Sequence, residues 1–272
     1  MRLLCSLPSG WKFRYTARVN LLLFTPQDWD APLCPEDPRA VHIRTILKSC
    51  QGDPLQVGLL NTGTGTASVK KLGDDGSVDL LFPPVWELEP TAELLPVHLV
   101  LGHPRPPVFR RILKDVASFG ISRLSVCATE LSEKSYFSSH LWTKNQFMDD
   151  LLEGAQQGGQ TRLTQVARYW SIGDFFRKNS LPKTPTIQEN RYILDLDSRA
   201  PFLYNQIIDS HGPEMTLAIG PERGWTSDEV QQFLRNGYTT VQLGRAIWRT
   251  EAACLFAAGL AIQVAQDREC HG

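Results

Sequence analysis

The chain has 272 residues, 42% of them apolar and 21% charged, with a formal net charge of −1, which suits two modest domains with a sizeable packed core. A balance this close to zero also excludes an overall basic field, so a nucleic-acid partner would have to be held by a local patch. No run approaches the ~20 apolar residues that span a bilayer, and the cysteines Cys5, Cys34, Cys50, Cys127, Cys254 and Cys270 show neither a C-x-x-C pair nor a histidine at zinc-ligand spacing. We therefore expect a soluble cytoplasmic protein with reduced thiols, most of them filling cores, and with no membrane contact and no metal.

In chain order, residues 1–27 carry Arg2, Lys12, Arg14 and Arg18 and no acid. They read as a basic arm or first strand; the alternative is an organelle-targeting segment over 1–18, implying mitochondrion or chloroplast. Short β-like runs follow at Val19–Phe24, Pro54–Leu60, Thr66–Leu72 and Ser77–Phe82, separated by turn signals, and predict a small β-barrel or sheet over 1–85. One helix interrupts them from Asp37-Pro38, with Val41, Ile43, Ile46 and Leu47 on a helical stripe and proline at the permitted first turn. A stretch rich in proline and acid predicts a linker at 86–96. Over 97–272 the pattern changes. Strands at His98–Leu101, Arg123–Ala128, Tyr192–Leu196, Thr216–Ile219 and Thr240–Leu243 alternate with helices at Val108–Phe119, Asn145–Gln157, Ser227–Asn236 and Thr250–Ala265. Apolar strands alternating with helices predict an α/β domain with a largely parallel sheet.

In such a sheet, ligands sit beyond the carboxyl ends of the strands. Three exits carry unusual chemistry: L-D-L-D-S-R-A at 194–200, I-G-P-E-R-G-W at 219–225 and L-G-R-A-I-W-R-T-E at 243–251. Gly220 and Gly244 each follow a strand directly, where a missing Cβ allows close approach or a positive φ, and the pair suggests one shared pocket. Thr226 and Glu229 form a capping box that ends the second exit. N-T-G-T-G-T at 61–66 lacks the Gly-Lys of a phosphate loop and reads as a hairpin turn. His98 and His103 lack a third ligand, and no serine or cysteine stands in a nucleophile elbow, so hydrolase and metalloenzyme chemistry have little support.

The run Gly220-Pro221-Glu222-Arg223-Gly224-Trp225-Thr226-Ser227-Asp228-Glu229, followed by Leu243-Gly244-Arg245-Ala246-Ile247-Trp248-Arg249-Thr250-Glu251, resembles the RsmE-like ribosomal RNA methyltransferases of the SPOUT superfamily. The likeness extends through D-P-R-A-V-H-I-R-T-I-L-K, G-D-P-L-Q-V-G and E-G-A-Q-Q-G-G-Q-T-R-L. The resemblance implies an N-terminal PUA-like β-barrel that binds RNA and a C-terminal SPOUT α/β domain with a trefoil knot. It also implies a homodimer, S-adenosylmethionine as cofactor, and methylation of N3 of a uridine in the RNA of the small ribosomal subunit. It assigns the cofactor to Leu196, Ile219, Gly220, Pro221, Leu243, Gly244, Trp248 and Arg249. For catalysis the candidates are Arg249, whose guanidinium would stabilise charge growing on the uracil oxygens, and Glu251 and Glu222, each of which can instead be structural. Relatives commonly carry glycine in place of Arg223 and arginine in place of Ala246, so Arg245 or Arg223 would have to supply the displaced charge. That change keeps open a catalytically silent RNA-binding or ribosome-assembly protein, or a methyltransferase for another ribosomal or transfer RNA position. Phosphate contacts are expected from Arg39, His42, Arg44 and Lys48 on the barrel's helix, and from Arg105, Arg110, Arg111 and Lys114. Trp225 is a candidate base platform or a core residue.

Overall fold

The computed structural model describes residues 21–179, 189–197, 199–208, 210 and 214–271; the basic segment 1–18, Cys5 and the Cys270 side chain lie outside them. The first sheet is built from β1 (Leu22–Phe24), β2 (Pro54–Leu59), β3 (Gly63–Leu72), β4 (Val78–Leu81) and β5 (Glu89–Pro90). β1 runs parallel to β2, and β2, β4 and β5 pair antiparallel with β3. Part of the expected linker is thus a strand of this sheet. The turn after β2 is shorter than expected, because β3 already begins at Gly63, three residues ahead of the predicted Thr66. The interrupting helix opens as expected at Pro38, with Asp37 capping the Arg39 amide. α1 (Pro38–His42) then widens into a π-turn over Ile43–Leu47 and stops at Lys48 with φ +53°. Ala40 and Ile43 face a core of Leu22, Phe24, Leu55, Val57, Val69, Val78 and Leu80.

The second sheet holds β6 (Leu95–Gly102), β7 (Ile121–Cys127), β8 (Gln165–Tyr169), β9 (Glu189–Leu194), β10 (Glu214–Ile219) and β11 (Thr239–Val241) in the order β11-β9-β10-β6-β7-β8, every described pairing parallel. Its connections carry α2 (Pro106–Ser118), α3 (His140–Thr143), α4 (Gln146–Gly158), α5 (Ile172–Asn179), α6 (Leu203–Ile208) and α7 (Ser227–Arg235), and the chain ends in α8 (Thr250–His271). Strand alternation divides the apolar side chains between two cores. Val97, Leu99 and Leu101 of β6 join Met215, Leu217 and Ile219 of β10 under α2, α4 and α8, while Val100, Ala218 and Ile193 meet Phe175 and Phe233 of α5 and α7 on the other face. α8 lies close against the sheet because its buried stripe is small: Ala253, Cys254, Ala257, Ala258, Ala261 and Ala265.

β1 knits the two sheets together. Leu22 and Phe24 enter the first core, while Leu21 and Leu23 enter the second. Asn61 N–H donates to the Thr161 carbonyl (2.9 Å), and the Thr91 and Thr161 hydroxyls share a hydrogen bond (2.5 Å). The expectation that most cysteines fill cores holds for Cys127 and Cys254 but not for Cys34 and Cys50, which are exposed. Burial, reinforced at Cys127 by Asp174 and Glu229 and at Cys254 by Glu251, raises both core thiols far above the usual range, which leaves them unreactive. Among the described residues no helix is long and apolar enough to cross a membrane.

Candidate active site at the strand ends

The three exits singled out in the sequence converge. Leu196 after β9, Ile219, Gly220 and Pro221 after β10, and Leu243, Gly244, Trp248 and Arg249 after β11 all line one cavity of about 1200 Å³, as do Glu222 and Glu251. Each loop is held by local chemistry. Gly224 N–H donates to the Pro221 carbonyl (2.8 Å), closing a turn in which Gly224 takes φ +73°. A Cβ on Gly220 would lie 3.1 Å from Gly224 Cα, so Gly220 lets that turn fold back over the strand end. Gly244 takes φ +153°, a conformation that side chains disfavour. Leu196 is held on its loop by its own amide, which donates to Asp195 Oδ1 (2.8 Å).

The capping box is present as expected. Thr226 Oγ1 accepts from Glu229 N–H (3.3 Å), and Glu229 Oε2 accepts from Thr226 N–H (2.9 Å). Glu229 also accepts, through Oε1, from Glu130 N–H (2.9 Å), tying the second loop to the exit of β7.

The two candidate carboxylates are each drawn toward an arginine of the neighbouring layer. Glu222 accepts from Arg105 N–H (3.1 Å) with the Arg105 guanidinium at 3.6 Å, and Glu251, at the start of α8, pairs with Arg111 of α2 (3.1 Å). Arg223, Arg245 and Arg249 also line the cavity, all three exposed. Apolar walls come from Leu196, Ile219, Leu243 and Trp248, the last stacked on Phe256 at 5.0 Å. Polar backbone at two glycines, apolar walls and this volume suit a ligand with one flat apolar part and one charged part.

The proposed phosphate contacts separate into groups. Arg39 is built into the fold: it pairs with Asp28 (2.5 Å) and Asp37 (2.7 Å), donates to the Leu23 carbonyl and lies 4.4 Å from the Phe24 ring centre. Arg44 donates to the Ala40 and Pro35 carbonyls, His42 is half-buried, and Lys48 is exposed. Arg110 and Lys114 reach the buried Asp150, and Lys114 also pairs with Glu153. Arg105 and Arg111 hold the two cavity carboxylates. Trp225 lines the cavity but packs on Phe233 at 5.0 Å in the second core.

Sequence reasoning missed Asp195, Phe202 and Gln242, which complete the cavity wall. It also missed Gly102 at the end of β6, where a Cβ would come within 2.4 Å of Pro221 Cδ. Behind it lies a buried polar pair. The tautomer of His103 follows from its partners: Nδ1–H donates to the Pro104 carbonyl (2.6 Å) and Nε2 accepts the Trp142 indole N–H (2.7 Å). Burial lowers His103 to about 4, and burial with the nearby Arg123 charge lowers His98, bonded to Ser125 at 2.8 Å, to about 3. Both are core histidines held neutral.

A profile for the RNA methyltransferase domain matches residues 91–262, a span that includes every loop of the cavity. The chain belongs to the RNA methyltransferase domain family. Within this family it is 34% identical over 240 residues to the ribosomal RNA small subunit methyltransferase E of Treponema pallidum, covering 87% of this chain and 88% of that one. A second relative, ribosomal RNA small subunit methyltransferase E 1 of Borreliella burgdorferi, is 26% identical and covers 88% and 95%. Among solved structures, a probable rRNA methyltransferase from Porphyromonas gingivalis superposes with TM-score 0.70 at 18% identity, covering 91% and 99%. A ribosomal RNA small subunit methyltransferase E from Neisseria gonorrhoeae, bound to S-adenosyl methionine, does so with TM-score 0.65 at 19% identity, covering 89% and 95%. The chain has the mixed α/β fold of these RNA methyltransferases.

Proposed function

We propose that this protein transfers a methyl group from S-adenosylmethionine to N3 of a uridine in small-subunit ribosomal RNA. The observation that carries the reading is the convergence of three strand exits on one cavity whose walls alternate glycine backbone with apolar side chains. In this reading Leu196, Ile219, Leu243 and Trp248 would enclose the adenine, and the backbone at Gly220, Pro221 and Gly244 would read its polar edge. When bound, the cofactor supplies a methyl group on a positively charged sulfur.

The chain's own residues then have three tasks. The loops fix the direction from which a uracil enters, which is the larger part of the acceleration. Arg249, exposed at the cavity and joined directly to Thr250 at the start of α8, stabilises the negative charge that grows on the uracil oxygens as N3 loses its proton. Arg245 and Arg223, on the same cavity, supply the positive field that Ala246 does not. Glu222 and Glu251 serve mainly to hold Arg105 and Arg111 at the rim.

The reading extends to the whole chain. The first unit, up to Pro90 where β5 joins the first sheet, would be the PUA-like RNA-binding barrel, and the second, from β6 at Leu95 onward, the SPOUT unit. The latter would carry the trefoil knot that the resemblance to the SPOUT superfamily implies. A homodimer is supported by exposed Tyr204, Ile208, Trp248 and Phe256 beside a second cavity of about 290 Å³ between α6 and α8. Mass-spectrometric mapping of methylated nucleotides in small-subunit RNA from cells with and without the protein tests the reaction. An identical methylation pattern in both would reject it.

A further inference from the structure

The C-terminal edge of the second sheet does not end at the cavity. It continues past β6 and β7 to β8, whose last residue, Tyr169, lies level with Cys127. Trp170 follows immediately and is 62% exposed. A single exposed apolar side chain needs no explanation, but this ring is built into place. Arg168 lies 5.0 Å from its centre, 5.2 Å from that of Trp142 and 5.8 Å from that of Phe137, and donates to the Phe137 carbonyl (3.0 Å). Phe137 itself lies 5.4 Å from Trp170, and Asp174 accepts from the Trp170 backbone N–H (3.2 Å), which holds the main chain beneath the ring. The indole is therefore fixed by a guanidinium and a buried ring, while much of its surface stays open to solvent.

Position and charge suggest what it receives. β8 is three strands from β10, about 14 Å along the sheet edge at ~4.8 Å per strand, on the same edge as the exits that form the cavity. Arg168 packs on the ring, and Arg177 and Lys178 of α5 both reach the Asp174 carboxylate that accepts from the Trp170 amide, so three cations stand with one acid beside the indole. A flat, immobilised aromatic surface in a locally positive setting suits an unpaired nucleobase with its phosphate, since every base has a face to stack.

We infer that Trp170 is a stacking platform for a base of the RNA substrate near the methylated nucleotide, a contact that rests on the function proposed above. The test compares Trp170→Ala and Trp170→Phe with the parent in binding to small ribosomal subunits from cells lacking the protein and to the same RNA stripped of ribosomal proteins. Cofactor affinity is measured by calorimetry and methyl transfer by kcat and KM. Trp170→Ala should bind both RNAs roughly 5- to 150-fold more weakly, the range that losing one base–aromatic stack spans. Its kcat and cofactor affinity should be unchanged, and Trp170→Phe should keep most of the binding. Equal binding by Trp170→Ala and the parent, or absence of binding by the parent, would overturn the inference. So would a loss confined to intact subunits, which would assign the ring to a ribosomal protein. Because RNA binding is read without turnover, a parent that binds RNA through Trp170 yet takes up no S-adenosylmethionine would reject the proposed reaction and leave the platform standing.

Discussion

Glu229 is 3% exposed, and both of its carboxylate oxygens accept backbone N–H groups, one from Thr226 and one from Glu130 (2.9 Å each). Glutamine at this position keeps one acceptor and turns an NH2 group toward the other N–H, so whichever way the amide flips, two donors face each other in a buried place. Each charge-assisted bond contributes about 1.5–3 kcal/mol. Losing one and weakening the other should cost roughly 2–3 kcal/mol, a fall in Tm on the order of 5–10 °C for a chain of this size. Thr226→Val removes only the acceptor for the Glu229 amide and should cost about 1 kcal/mol. The residues just before this cap, Pro221 to Trp225, line the cavity, so Glu229→Gln should also weaken S-adenosylmethionine binding while the protein is still folded. Urea unfolding and calorimetric titration on the three proteins decide the matter. A Glu229→Gln protein within about 0.5 kcal/mol of the parent, or less destabilised than Thr226→Val, would refute the view that this carboxylate clamps the loop.

Arg249→Ala should leave the fold and cofactor affinity nearly intact and lower kcat by roughly 10²–10³-fold, the scale for removing one donor to a developing oxyanion; unchanged turnover would remove Arg249 from the mechanism. Gly102→Ala should push Pro221 outward, because its Cβ would meet the proline ring at 2.4 Å and Pro221 N at 2.9 Å, at a cost of about 1–3 kcal/mol and with weaker cofactor binding in titration. His98 and His103, held neutral at about 3 and 4 against an unfolded value near 6.5, bind fewer protons folded than unfolded. Their stabilising effect is complete above pH ~6.5 and is lost as pH falls toward those values, by an amount on the order of 3 kcal/mol per group. Denaturant melts from pH 7 to pH 4 should show that slope, and His103→Gln should flatten it.

The α/β pattern was legible because the second sheet's strands are short apolar runs between amphipathic helices, and β6, β7, β9, β10 and β11 all fall on predicted runs. β8 and α5 were not legible. Q-V-A-R-Y carries charge and little apolar alternation, and its half-exposed edge position explains that. The cavity exits were visible from their glycines, whereas Gly102 was not, because its need comes from Pro221, more than a hundred residues away in sequence. Likewise Arg39 reads as a surface cation on a helix until Asp28 and the Phe24 ring, from separate elements, close around it. Trp170 and Trp225 look alike in sequence; only packing sends one to solvent and the other against Phe233.

The position of the cavity follows from how the sheet's natural crevice is filled. β6 leads outward to β7 and β8, while β9, β10 and β11 lie on its other side, so the change of direction falls between β6 and β10, where open α/β sheets usually bind ligands. Here Pro221 packs on Gly102 at that gap, and Glu222 accepts from the Arg105 amide just beyond it. With the gap closed by protein, the open space moves toward β9 and β11, where the start of α8 and the Gly244 loop form the opposite wall. A ligand there meets main chain from three exits rather than one, and Arg249 reaches the site from the residue that precedes α8. The same closure leaves the β6–β8 half of the edge free of the cavity, as a surface along which the rest of a long substrate can lie.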